Sequence, residues 1–160
     1  MVVLLMGVTG SAKTTIGRDL AEFLQWPFVD ADDFHSPASV AKMRAGIPLD
    51  DVDRAPWLAS LHDALTGWLE AQANVVLACS ALKQSYREQL VVSPEVKLVY
   101  LRGSRDLISQ RLFHRRGHYM DPALLASQFA ALEEPRQAVI VEVDADVPQI
   151  VAQIREELGI

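Results

Sequence analysis

Five short runs rich in Val, Ile and Leu punctuate the chain, at Val2–Met6, Pro27–Asp30, Asn74–Cys79, Val96–Leu101 and Ala138–Val143. They lack strict polar alternation, the pattern of strands covered on both faces, although Lys97 interrupts the fourth run near its start. Between the runs the apolar spacing becomes helical. Thr14–Gln25 places Ile16, Leu20 and Leu24 four apart, and Arg54–Ala71 lines Trp57, Leu58, Leu61, Leu65, Trp68 and Leu69 along one stripe. Asp53 is the expected N-cap of that second helix, with Pro56 in its first turn, where a missing N–H does no harm. Further helices are predicted over Lys83–Val91, Ser104–Arg115, Asp121–Leu132 and Val147–Leu158. This alternation predicts an α/β fold, a five-stranded parallel sheet with helices on both faces, built as a single domain over residues 1–160.

Composition narrows the classes. With 50% hydrophobic and 22% charged residues, the 160-residue chain is neither a disordered tract nor a coiled coil. Its single cysteine, Cys79, excludes an internal disulfide, and the histidines and cysteine show no zinc-like spacing. A formal charge of −6 and a pI near 5.1 argue against a nucleic-acid partner, so any polyanion must be small and held by a local cluster. No apolar run reaches the roughly 18 residues of a membrane span. The opening Met1–Gly7 lacks the basic start and cleavage site of a signal peptide and reads as a buried strand, so the expected location is the cytoplasm.

The strongest local signal is Gly7-Val8-Thr9-Gly10-Ser11-Ala12-Lys13-Thr14, which follows the first strand and opens the first helix, the context a P-loop requires. Backbone N–H groups and the helix dipole then cup phosphate oxygens. Gly7, Thr9, Gly10, Ser11, Ala12, Lys13, Thr14 and the neighbouring Thr15 are the candidate ATP-binding residues, with Lys13 bridging the terminal phosphates and the Thr14 hydroxyl on Mg²⁺. The pattern expects glycine where this chain has Ala12, whose methyl would crowd the phosphates or a backbone angle that glycine prefers, or be harmless if the local angles are helical.

After the second strand comes Asp30-Ala31-Asp32-Asp33-Phe34-His35. Carboxylates two apart at a strand's carboxyl end point to the same side, into the crevice where open α/β sheets bind ligands. One carboxylate can steady Mg²⁺ through water while the other accepts a hydroxyl proton. The third run ends in Cys79-Ser80 without an acid, so Asp30 is the better candidate for the metal. That points away from motor and switch NTPases and toward small-molecule kinases. Cys79, Trp57 and Trp68 read as core.

At this point the chain resembles the gluconate kinase (gluconokinase) family, P-loop kinases related to shikimate kinases. The matching segments run from Gly7 to Pro148. They include Asp30-Ala31-Asp32 with His35, the Asp50–Leu58 block, Cys79-Ser80-Ala81-Leu82-Lys83 with Tyr86-Arg87, Arg111 with Arg115-Arg116-Gly117-His118, Gln128-Phe129, and Leu132-Glu133-Glu134-Pro135. The resemblance implies a P-loop kinase three-layer sandwich with a mobile lid near residues 114–123, a homodimer, and ATP-dependent phosphorylation of D-gluconate at its C6 hydroxyl. Asp32 is the candidate base, against an N-cap as the bland reading. Arg54 is placed to pair with the substrate carboxylate, where a planar fork suits better than a point charge, against a surface pair with Asp50 or Asp51. His35, Ser80 and Lys83 are candidate sugar contacts. Arg111, Arg115 and Arg116 form a local basic patch that reads as a lid reaching the transferring phosphate and the adenine, with Arg115 catalytic and Arg116 on the substrate. The resemblance further implies that Arg111 and Pro148 sandwich the adenine, while Gln128 supports the lid or the substrate. The rival readings are a shikimate or nucleotide kinase, and a module that holds ATP without transferring it.

Overall fold

The computed structural model describes residues 1–114 and 122–160. In chain order it contains β1 (Val2–Met6), α1 (Lys13–Leu24), β2 (Phe28–Asp30), a 3₁₀ turn (Ala31–Phe34), α2 (Pro37–Arg44), α3 (Asp51–Glu70) and β3 (Val75–Ala78). There follow α4 (Gln84–Leu90), β4 (Val96–Arg102), α5 (Arg105–His114), α6 (Pro122–Ala131), β5 (Val139–Glu142) and α7 (Val147–Leu158). The strands pair in parallel in the order β2-β3-β1-β4-β5, so all five carboxyl ends lie along one edge.

β1 alternates between two cores. Val3 and Leu5 pack with Ile16, Leu20, Ile108 and Ile150 from α1, α5 and α7. Val2, Leu4 and Met6 pack on the other face with Trp57, Leu61, Leu65 and Leu90 from α3 and α4. The result is a three-layer α/β sandwich, as the apolar runs predict. Covering on both faces holds for the inner strands. β2 is half-buried throughout and Ile140 of β5 is 40% exposed, because both are edge strands. Among the described residues no helix is long and apolar enough to cross a membrane.

Two local expectations are corrected. The N-cap of α3 is Asp50, and Asp53 instead sits at the third helical position, where the two close a capping box, each side chain accepting the other's backbone N–H. The helix therefore starts earlier, and Pro56 falls inside it. The N–H that proline lacks would have met the Val52 carbonyl, on a residue 80% exposed and open to water. The short helix α2 has no apolar stripe to reveal it; its signals are Ser36 accepting the Ser39 N–H and Pro37 at the first position.

Gly17 lets α1 lie close to the sheet. A Cβ there would stand 2.6 Å from the Phe28 ring and 3.2 Å from Leu5. Gly17→Ala is expected to lower unfolding free energy by about 1–3 kcal/mol through overpacking, read by urea denaturation. An unchanged midpoint would show that Phe28, on its edge strand, swings away without cost.

Candidate active site

The turn from β1 into α1 closes on itself at the carboxyl edge of the sheet. The Gly7 N–H donates to the Ser80 carbonyl after β3 at 3.3 Å, and the Ser11 N–H to the Val8 carbonyl at 3.2 Å. A side chain at Gly7 would stand 2.7 Å from Ser11 Oγ and 2.8 Å from the Leu101 carbonyl, so glycine there is a packing requirement. Lys13 Nζ folds over the loop and donates to the Gly7 and Val8 carbonyls at 2.9 and 3.0 Å. Enclosure lowers the pKa of its ammonium, opposed by the nearby Asp32, Cys79 and Asp30. Ser11 Oγ is buried without a partner. A closed loop at a helix N-terminus, with an orphaned hydroxyl and a lysine on its own carbonyls, fits a phosphate chain that would satisfy both.

Ala12 stands at the N-cap of α1 with φ 67° and ψ 26°, the left-handed conformation. Of the possibilities open from sequence, the angle that glycine prefers is the one realised. Thr14 Oγ1 donates to Asp30 Oδ2 at 3.5 Å, while Thr15 is exposed. Among the described residues no three acidic, His or Cys side chains gather as a metal cage. A hydroxyl and one carboxylate form the sparse oxygen set that suits Mg²⁺ completed by phosphates and water.

Asp30 caps the 3₁₀ turn, its Oδ1 accepting the Asp32 N–H at 2.9 Å. Asp32 is therefore spared capping duty. Desolvation by the cleft, then the Asp30 carboxylate, push Asp32 above its ordinary range, and His35 and Lys13 pull it back. Its side chain is 80% exposed, so water screens these neighbours until a ligand fills the cleft. His35 Nε2 lies 3.8 Å from Asp32 Oδ1, and its ring stacks on Trp57 at 4.5 Å. Burial lowers the histidine pKa, and Nδ1 is buried without a partner. Trp57 is core, as expected, but its indole N–H also donates to the Ala31 carbonyl at 2.7 Å and so pins the acidic turn to α3.

Arg54 forms no pair with Asp50 or Asp51; it reaches the Tyr86 hydroxyl at 3.3 Å. Lys83 stands at the N-cap position of α4 without a side-chain capping bond, and its ammonium pairs with Asp51 at 3.2 Å. Gln128 clasps the phosphate loop, its Oε1 accepting the Thr9 N–H at 2.6 Å and its Nε2 donating to Thr9 Oγ1 at 2.7 Å. Arg111 donates to the Val143 carbonyl, beyond the carboxyl end of β5, and Pro148 stands exposed in the first turn of α7. Arg115, Arg116, Gly117 and His118, with most of the expected lid, lie outside the described residues. Cys79 is buried, and burial pushes its thiol up to about 12, which suits core filler. The contact between Asp51 and Tyr86, whose hydroxyl donates to Asp51 Oδ1 at 2.6 Å, has no counterpart among the sequence expectations. The Asp50-x-x-Asp53 spacing signals the box that fixes the start of α3 and hence Asp51 and Arg54.

The shikimate kinase family profile matches residues 9–157. A probable gluconokinase from Mus musculus is 44% identical over 98% of this chain and 97% of its own length. The gluconokinase of Gluconobacter oxydans is 47% identical over 83% of this chain and 75% of its own. The crystal structure of a gluconokinase from Sinorhizobium meliloti superposes with a TM-score of 0.88 at 39% identity, covering 98% of this chain and 90% of that one.

Ala12→Gly is expected to relieve a left-handed penalty of roughly 1–2 kcal/mol against roughly 0.5–1 kcal/mol of added chain entropy, raising stability by about 0.5–1 kcal/mol. Urea denaturation checks it; a loss of stability would mean that the methyl earns its place by packing.

Proposed function

We propose that this chain, which belongs to the gluconokinase family of P-loop kinases, transfers the terminal phosphoryl group of ATP to the C6 hydroxyl of D-gluconate, forming 6-phospho-D-gluconate. One juxtaposition carries the reading: an uncapped carboxylate, Asp32, stands at the same sheet edge as the Lys13 loop, close enough for each to shift the other's proton affinity.

Phosphoryl transfer asks a protein for position and charge more than for covalent chemistry. Bound Mg²⁺ supplies charge neutralisation on the phosphoryl oxygens, and Thr14 and Asp30 are the residues that would hold it. Lys13 exchanges the Gly7 and Val8 carbonyls for the terminal phosphates. Asp32 accepts the C6 hydroxyl proton as that oxygen bonds to phosphorus and the bridging bond to ADP breaks. Its raised pKa suits a base closer in strength to its task than an ordinary aspartate. Arg54 takes the carboxylate of the sugar acid, and His35, Ser80 and Lys83 border the polyol. Gln128 holds Thr9 and so the tip of the phosphate loop. Arg115 at the transferring phosphate, Arg116 at the substrate, Arg111 with Pro148 around the adenine, and assembly as a homodimer rest on family resemblance.

The test is ADP release, coupled to a reporter, across a panel of sugar acids, shikimate and nucleoside monophosphates with Mg²⁺ and ATP. Gluconate is expected to stimulate release most strongly; stimulation by shikimate or a nucleotide alone would redirect the assignment, and stimulation by none would favour an ATP-holding module. Asp32→Asn is expected to slow kcat by roughly 10²–10⁴ with ATP affinity retained, and near-normal turnover would remove Asp32 from the base role. Because the Asp32 pKa is raised and bound substrate displaces the water that screens it, kcat should be retained above that pKa and lost as pH falls through it, with the acid limb above the ordinary aspartate value of about 3.9. A limb at or below that value would contradict the assignment.

A further inference from the structure

Three cations and three carboxylates meet where the start of α3 faces the start of α4. Lys42 pairs with Asp53 at 2.9 Å, and Lys83 pairs with Asp51 at 3.2 Å. Asp50 is spent on the helix cap. Arg54 is left over: among the described residues no carboxylate oxygen lies within 4.0 Å of it. That is an odd outcome for a guanidinium three residues from Asp51 and four from Asp50, since both spacings share a helix face. Tyr86 stands between Arg54 and Asp51. Its hydroxyl has one proton and donates it to Asp51 Oδ1 at 2.6 Å, while accepting from Arg54 Nη1 at 3.3 Å. Both cations also lie over its ring, Arg54 at 5.8 Å and Lys83 at 5.5 Å from the centroid.

Resting on the assignment of Arg54 as the carboxylate anchor, we propose that Tyr86 is a positioning residue for substrate specificity: by binding Asp51, which also neutralises Lys83, it keeps Arg54 unpaired for the carboxylate of the sugar acid. The direction of the hydrogen bonds, from Arg54 to Tyr86 to Asp51, lets the guanidinium lean on a neutral oxygen. A neutral oxygen holds the fork in place without the charge that would compete with an anionic ligand. Of the two cations on this ring, the planar one is reserved for the substrate and the point charge is compensated. Without the hydroxyl, Asp51 is free to turn to Arg54, and the substrate must then displace an internal carboxylate.

The test is a cycle of Tyr86→Phe and Asp51→Asn read by steady-state kinetics. Phenylalanine keeps the ring in the core that Tyr86 shares with Trp57 and Leu61. Tyr86→Phe is expected to raise the gluconate KM about tenfold, as for a lost hydrogen bond to a charged group, with kcat and the ATP KM within about twofold. Adding Asp51→Asn removes the competitor, so it must lower the gluconate KM by a larger factor in the Tyr86→Phe background than in the unsubstituted protein. An unchanged gluconate KM in Tyr86→Phe, a parallel loss of kcat and both KM values, or equal Asp51→Asn effects in the two backgrounds would each overturn the inference. Arg54→Lys separates this from the underlying assignment. A raised gluconate KM there with none in Tyr86→Phe discards only the role of Tyr86, whereas an unchanged KM in Arg54→Lys discards the anchor itself.

Discussion

The arrangement depends on how the chain leaves its central strand. β1 is fully buried between β3 and β4, so its carboxyl end has no freedom to drift. The chain must then reverse into α1 within the six residues from Gly7 to Ala12. It does so by hydrogen-bonding Gly7 back to Ser80, setting Gly10 and Ala12 at positive φ, and drawing Lys13 across the Gly7 and Val8 carbonyls. A loop so closed, ending in a helix dipole with its own lysine as counter-charge, is built for an anion. The left-handed alanine is strain that this closure tolerates, of the order of 1–2 kcal/mol.

The acidic side is organised by the same economy. Asp30 uses one oxygen to cap the turn that presents Asp32 and the other to meet the Thr14 hydroxyl, so a single residue joins the edge strand to the phosphate loop. Trp57 reaches from α3 to the Ala31 carbonyl and stacks under His35, tying the same turn to the second core. The Asp32 side chain caps nothing and has His35 Nε2 beside it at 3.8 Å. At the start of α3, Lys42 and Lys83 are matched by carboxylates, whereas among the described residues Arg54 meets none within 4.0 Å.

Much of this was legible in the sequence. The apolar runs located all five strands within a residue or so, because inner strands buried on both faces carry continuous Val and Leu. The P-loop was legible because its chemistry is local. The residue before Lys13 could be seen to depart from glycine, but only the backbone showed that Ala12 is left-handed. The start of α3 is ambiguous in sequence because Asp50, Asp51 and Asp53 all suit a cap; the reciprocal box settles it on Asp50, while Asp53 and Asp51 also meet Lys42 and Tyr86, eight or more residues away. Short elements without an apolar face, α2 and the 3₁₀ turn, left no periodic trace. The clasp of Gln128 on Thr9 spans 119 residues and had no local signature.

The proposed reaction needs this sheet edge to bring a proton-accepting carboxylate and a phosphate-binding lysine to one hydroxyl. A crystal structure with a non-hydrolysable ATP analogue, Mg²⁺ and gluconate tests it directly. Lys13 Nζ is expected to have left the Gly7 carbonyl for the terminal phosphate, and an Asp32 oxygen to lie within about 3 Å of the gluconate C6 oxygen. Lys13 still on its own loop, or Asp32 turned to bulk water with the sugar acid bound elsewhere, would contradict it.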